Sequence, residues 1–378
     1  MSCGIHKIDE EMRIRNVVVI IKSRALILIL VPILALCACS SPIEQSTSGE
    51  PQAVANQESQ TDEDQTGQAD VNQPRRTVVD QVGRAVEISD PVERIVSGYY
   101  ISSSACIALG LSDRMVGIEA KAASRPIYAL SAPELLELPN VGSAKEFNLE
   151  ACIALDPDLV ILPAHLRDTA EIMSELGIPV ILVSPEGHDE LLEMIALIGN
   201  AAGVDDRAEH LLAYYRDKRA AIDELTAGIA HRPVVYICGV GSYLTTAPKD
   251  MYQSSLINIA GGQNAASALE GDGRTPVSYE QFIVMDPDVI VVPSEANYNE
   301  MDIMNDAQLA VLAAVSNGVI FRMPGDYEAW DSPVPSGILG SLWLLHILHN
   351  NVYSTEAFEN DVTHFYKEFY GIEAGNKS

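Results

Sequence analysis

Asn148-Leu149-Glu150-Ala151-Cys152-Ile153-Ala154-Leu155-Asp156-Pro157-Asp158-Leu159-Val160-Ile161-Leu162-Pro163 recurs as Ser278-Tyr279-Glu280-Gln281-Phe282-Ile283-Val284-Met285-Asp286-Pro287-Asp288-Val289-Ile290-Val291-Val292-Pro293, each position offset by 130. Asn148 and Ser278 are short polar residues that cap a helix by accepting a backbone N–H. Glu150 and Glu280 fall in the first turn, where the helix dipole favours a carboxylate. Asp-Pro-Asp then ends the helix, because the residue before a proline is pushed out of the helical region. The wholly apolar run that follows reads as a strand buried on both faces, as in a parallel sheet. A period this long exceeds any solenoid unit. It therefore predicts two similar α/β domains.

Outward from the repeat, short β-branched strands alternate with helices, the pattern of a mostly parallel sheet. Residues 92–96, 114–118 and 179–183 read as strands, and 169–176 as a helix closed by Gly177. Ser102-Ser103-Ser104 can cap a helix that runs to Leu109 and stops at Gly110. Between the copies, 189–202 and 205 to about 229 are helical. In the second piece Ala208, Leu211, Leu212, Tyr215, Ile222 and Leu225 recur at helical spacing, with no Pro and only Gly228 near the end. At 1.5 Å per residue this helix spans about 36 Å, enough to run from one lobe into the other. The expected fold is α/β: two Rossmann-like lobes with mostly parallel sheets, joined by a single long α-helix, with a ligand cleft between them. The expected divisions are a leader over 1–39, a tether over 40–76, a first lobe over 77–204, the inter-lobe helix over 205–230 and a second lobe over 231–372.

The chain of 378 residues is 47% hydrophobic, ample for packed cores, and carries a net charge of −29 from 53 acidic and 24 basic residues. Nucleic-acid binding needs a basic face, so this balance argues against it. Arg13, Arg15, Lys22 and Arg24 precede an apolar run over 25–36, the layout of a secretory leader. That run falls short of the roughly 20 apolar residues of a transmembrane helix. Leu36-Cys37-Ala38-Cys39 resembles the bacterial lipobox, with Cys39 as the lipidated cysteine, although Cys37 departs from the usual small residue. A plain signal peptide or an uncleaved anchor is the alternative. Residues 40–76 are nearly devoid of large apolar side chains and read as a flexible tether. No C-x-x-C occurs; Cys106, Cys152 and Cys238 read as buried thiols, with a Cys106–Cys152 disulfide as the alternative.

From Thr77 to Gly371 the chain resembles the iron-complex/cobalamin class of periplasmic binding proteins. The resemblance rests on several segments beside the repeat: Asp80-Gln81-Val82-Gly83-Arg84-Ala85-Val86, Leu109-Gly110-Leu111 with Val116-Gly117-Ile118, Val141-Gly142-Ser143, residues 258–265 around Ala260-Gly261-Gly262, and Leu312-Ala313-Ala314-Val315-Ser316-Asn317-Gly318 leading to Pro324-Gly325-Asp326. It implies an extracytoplasmic, lipid-anchored, monomeric solute-binding protein of an ABC importer, with no cofactor of its own. Its partners would be a permease dimer with its ATPase, which Glu150 and Glu280 would dock. The implied ligand is an iron complex (ferric siderophore or haem) or a corrinoid. Manganese or zinc, a nickel chelate and molybdate are the alternatives.

Ligands of such sheets lie outside the carboxyl ends of the strands. The first lobe offers Tyr99, Tyr100 and Ser102, then Glu119, Lys121 and Arg125, then Lys145 and Glu146, then His165 and Arg167. The second offers Ser242, Tyr243 and Thr245, then Tyr327, Glu328 and Trp330. Trp330, in an irregular polar loop, reads as a platform for a planar or chelate ligand, whereas Trp343 reads as core. Tyr99, Tyr100 and Tyr243 can stack or donate hydroxyls. Arg125, Arg167 and Lys145 suit an anionic chelate or an oxyanion, the alternative for each being a solvated surface charge. His346 and His349 are spaced for a metal, but apolar neighbours favour packing. No G-x-S-x-G, H-E-x-x-H or P-loop lysine motif is present, and Gly239-Val240-Gly241 lacks the third glycine of a dinucleotide fingerprint. An enzyme is not expected; a lipid-anchored hydrolase is the alternative from another class.

Overall fold

The computed structural model describes residues 74–271 and 273–373. The leader, Cys39 and the tether up to residue 73 lie outside the described residues. Strands β1 (Arg75–Val79) and β2 (Ala85–Ser89) form an antiparallel hairpin. β1 takes in Arg75 and Arg76, which composition assigns to the tether. Arg76 is drawn into the fold by Asp90, at 2.9 Å.

Two four-stranded sheets follow, and every pairing within them is parallel. The first contains β3 (Ile95–Ser97), β4 (Met115–Gly117), β5 (Leu159–Pro163) and β6 (Val180–Val183), in the order β4-β3-β5-β6. Its helices are α1 (Tyr100–Ala108), α2 (Pro126–Ser131), α3 (Leu149–Ile153), α4 (Arg167–Glu175) and α5 (His188–Ala202). Helix α6 (Asp205–Thr226) leads to the second lobe. There β7 (Val234–Ile237), the short strands β8 (Thr245–Thr246), β9 (Gln263–Asn264) and β10 (Thr275–Pro276), and then β11 (Val289–Val292) and β12 (Ile320–Arg322) alternate with α7 (Tyr252–Ile259), α8 (Tyr279–Met285), α9 (Glu300–Met304) and α10 (Ala313–Ser316). Helices α11 (Ile338–Leu348) and α12 (Thr355–Tyr370) close the chain. The second sheet runs β12-β11-β7-β9. Counted in chain order within each sheet, the strands of both are arranged second, first, third, fourth. They are two copies of one topology.

The repeat explains this symmetry. Asn148 caps α3 by accepting from the Ala151 N–H, and Ser278 caps α8 through a reciprocal box with Gln281. Asp156 and Asp286, equivalent positions, both turn into the left-handed region with φ of 48° and 39°. Aspartate is among the few side chains that tolerate this conformation. The strands that follow, β5 and β11, are buried along their whole length.

Strand side chains alternate between faces, and here the faces have different owners. Val96, Val160, Leu162, Val180 and Leu182 pack into a cluster confined to the first lobe. Tyr236, Ile290 and Val292 do the same in the second. The opposite faces, with Ile95, Leu159, Ile161 and Ile181 on one sheet and Val235, Ile237, Val289 and Val291 on the other, share one continuous apolar cluster with α1, α5, α6, α7, α11 and α12. Each fully buried aliphatic side chain contributes about 1.5–3 kcal/mol. Swinging the lobes apart would therefore cost far more than bending a lone helix.

One capping expectation is corrected. Helix α1 begins at Tyr100, so Ser102, Ser103 and Ser104 lie inside it and are fully buried. Ser102 returns its hydroxyl to the Tyr99 carbonyl, the back-bonding by which serine is tolerated within a helix.

Candidate functional site

In each sheet the strand order reverses between the first and third strands, β3 and β5 or β7 and β11. Such a switch point opens a crevice at the carboxyl ends, where ligands of open α/β sheets bind. Tyr99 follows β3 and His165 follows β5. They line a cavity of about 190 Å³ with Ser184 and Glu186, which follow β6. Tyr99 is half-buried, and burial together with the Glu186 charge pushes its phenol pKa up. The tyrosine therefore stays a neutral donor. His165 Nε2 lies 2.6 Å from the Ala144 carbonyl.

Arg125 spans the lobes. Its guanidinium carbon lies 3.5 Å from the centre of the Tyr100 ring, and Nη1 reaches Glu295 Oε1 at 3.2 Å. Glu295 follows β11 in the second lobe. The Tyr100 hydroxyl donates across the lobes as well, to Glu328 at 3.3 Å. Beside Glu295 on the second-lobe wall, Arg274 donates to the Cys238 carbonyl at 2.7 Å and to Asp331 at 2.9 Å. One half-buried guanidinium from each lobe thus stands at the strand ends, each already facing a carboxylate.

Several sequence candidates are placed elsewhere. Trp330 is only 3% exposed, and its indole N–H donates to the Tyr366 hydroxyl at 2.8 Å. It is core, because the loop that carries it folds under α11 and α12 instead of over the cleft. Ser102 is sealed inside α1. Glu119 is buried: Ser103 donates to it at 2.5 Å, as does the Tyr128 hydroxyl, and burial raises its pKa despite these bonds. Glu328 is buried too, accepting from Ser104, Ser336 and Tyr100, with its pKa likewise raised by burial. The Tyr243 hydroxyl is committed to Asp306 at 2.8 Å, shared with Tyr279. Arg167 turns toward the hairpin, to the Val82 carbonyl at 3.4 Å. Lys145 and Glu146 are exposed at the tip of a tight turn, and Lys121 is exposed. Thr245 and Ser242 close a turn on one another. Tyr327 packs on Tyr366, ring centres 4.1 Å apart.

Glu186, Arg274 and Glu295 also stand at the strand ends and were not among the sequence candidates. Glu295 was findable, because the offset of 130 applied to His165 lands on it. Arg274, a lone cation after glycine, carries no comparable signal.

Among the described residues no group of three or more His, Cys, Asp or Glu could hold a metal ion. His346 and His349 turn to different carbonyls, those of Tyr353 and Gly261. Cys106, Cys152 and Cys238 are free and buried. Glu150 and Glu280 are both exposed in the first turns of α3 and α8. The Glu280 carboxyl is held below its ordinary pKa by its own backbone N–H and by Ser278. Among the described residues no helix is long and apolar enough to cross a membrane.

The sequence pattern of the family described as "Periplasmic binding protein" matches residues 95–327. The chain is 26% identical over 321 residues to the molybdate-binding protein MolA of Haemophilus influenzae, covering 78% of this chain and 91% of that one. It is 29% identical over 245 residues to a cobalamin-binding protein of Halobacterium salinarum, covering 64% of each. The fold superposes on the solved structure of MolA of Haemophilus influenzae bound to molybdate with a TM-score of 0.71 at 24% identity, covering 79% of this chain and 99% of that one.

Proposed function

The chain belongs to the periplasmic binding protein family, and from that membership we propose that it collects a small metal-containing oxyanion, of the molybdate type, for an ABC importer. Membership itself makes it a solute-binding protein of ABC-transporter type and implies an extracytoplasmic location. The ligand is the proposed part. The observation that carries it is the pair of half-buried guanidiniums, Arg125 and Arg274, at the strand ends of opposite lobes. Guanidinium forks bind oxyanions through charge-assisted hydrogen bonds, and arginine is preferred where planar recognition matters. The similarity to a molybdate-binding protein over 91% of that protein's length supports the same class.

A second reading, an iron chelate or corrinoid, is favoured by the 29% identity to a cobalamin-binding protein. Tyr99 and His165 would then be the first-lobe contacts. In either case Cys39 would carry the lipid anchor, and Glu150 and Glu280 would seat the loaded protein on the permease dimer. A thermal-shift screen with molybdate, tungstate, a ferric siderophore, haem and cobalamin separates the two, since a ligand bound to the folded form raises the melting temperature. The oxyanions should stabilise the protein. Stabilisation by cobalamin or haem alone would overturn the anion assignment.

A further inference from the structure

Arg125 is held from two sides, by groups of unequal mobility. The Tyr100 ring under the guanidinium belongs to the rigid start of α1 and is only 8% exposed, its hydroxyl tied to Glu328. Glu295 is the opposite case: it follows β11 in a loop, its side chain is 51% exposed, and it meets Arg125 through one hydrogen bond of 3.2 Å. That single bond lacks the bidentate fork that makes arginine–carboxylate pairs strong. Exposed pairs of this kind are worth about two- to fivefold in an equilibrium constant. Arg274 contrasts with Arg125, because its partner Asp331 is only 5% exposed in the side chain and cannot swing away.

We propose that Glu295 is an internal counter-ion of Arg125 that the anionic ligand displaces, so that this residue sets both the affinity of the cleft and the charge it selects. The inference rests on the anion-binding reading and deepens it. A ligand with one negative charge offers Arg125 little that the carboxylate does not already supply. A tetrahedral dianion offers twice the charge and several acceptor oxygens to a guanidinium with five N–H donors. Once displaced, the Glu295 carboxylate swings toward solvent, at a cost its exposure keeps small. The exchange also keeps the two lobes bridged, first by the protein's own carboxylate and then by the ligand, without opening their shared core.

Isothermal titration of the full chain with sodium molybdate and with sodium nitrate tests this on wild type, Glu295→Gln and Arg125→Gln. Glu295→Gln should bind molybdate about two- to fivefold tighter and discriminate less against nitrate, while Arg125→Gln should lose at least about tenfold. Equal or weaker molybdate binding by Glu295→Gln, with an unchanged melting temperature, overturns the counter-ion role and leaves the anion reading standing. If that variant melts well below wild type, Glu295→Asp decides. Its arm is one methylene shorter and weakens the 3.2 Å bond to Arg125, so it too should bind more tightly, and an equal or weaker affinity overturns the proposal. Absence of molybdate binding in wild type and Glu295→Gln alike overturns both the proposal and the reading it rests on.

Discussion

Asp158 and Asp288 stand 130 residues apart and play the same part, each turning its Oδ2 onto backbone N–H at the opening of the first strand of its own four-stranded sheet. Asp158 accepts from Glu93 and Arg94, both at 2.9 Å, just before β3. Asp288 accepts from Val234 at 2.8 Å, at the start of β7. Each bond anchors the first strand of a sheet to the loop that leads into its third.

Asp158→Ala leaves two backbone donors without a protein partner and should destabilise by about 1–2 kcal/mol. Asp288→Ala frees one donor, at a site whose aspartate side chain is half exposed, and should cost about half as much. Urea denaturation followed by circular dichroism reads both. Equal losses would mean that the two anchors are not differently solvated as their surroundings indicate.

Glu119 and Glu328 predict how stability varies with pH. Burial raises both carboxyls above their ordinary value of 4.5, more than the hydroxyls around them lower it. A carboxyl with a higher pKa folded than unfolded holds its proton more tightly in the native state. Its contribution is therefore complete below the ordinary value and is lost as pH rises through the raised one. Glu328→Gln removes the charge, keeps an acceptor oxygen for Ser104 and Tyr100, and turns an amide N–H toward the Ser336 hydroxyl. Its melting temperature relative to wild type should improve as pH rises above the ordinary carboxyl value. A difference independent of pH in a melting series would remove Glu328 as the titrating group.

Trp330→Phe tests the placement of that loop. The substitution removes the N–H that reaches Tyr366 and part of a buried ring, so a loss of about 1–3 kcal/mol in stability is expected. Ligand affinity should stay within about twofold, since the ring lies in the core. A large change in affinity with little change in stability would return Trp330 to the cleft.

What was legible in the sequence follows from range. The repeat, its caps and its buried strands are local patterns, so 148–163 and 278–293 announced two sheets. The single helix Asp205–Thr226 was written in uninterrupted spacing. Site residues depend on contacts between distant segments. Trp330 looked exposed because its neighbours in sequence are polar; Tyr366, which satisfies its N–H, is 36 positions away. Ser103 and Ser104 read as a cap because no local signal reveals Glu119 and Glu328 waiting to receive their hydroxyls. Arg125 was named for its charge, but the carboxylate it faces lies 170 residues further on.

The paired glutamates yield the sharpest test of transport. Glu150 and Glu280 are exposed at equivalent positions on capped helices, one per lobe, and the buried core does not depend on either. Beside Glu280, Leu269, Met285 and the 84% exposed Val284 border a groove of about 500 Å³, whereas Ala154 stands at the position of Val284 in the first copy. Charge at the rim of an interface governs encounter and register more than folding. Glu150→Arg with Glu280→Arg should therefore leave the melting temperature and the ligand dissociation constant unchanged while reducing ligand uptake by cells at least about tenfold. Because exposed Val284 stands beside Glu280 where the first copy has only Ala154, Glu280→Arg alone should impair uptake more than Glu150→Arg. Uptake that survives the double reversal would show that the symmetric carboxylates serve only to complement their helix dipoles.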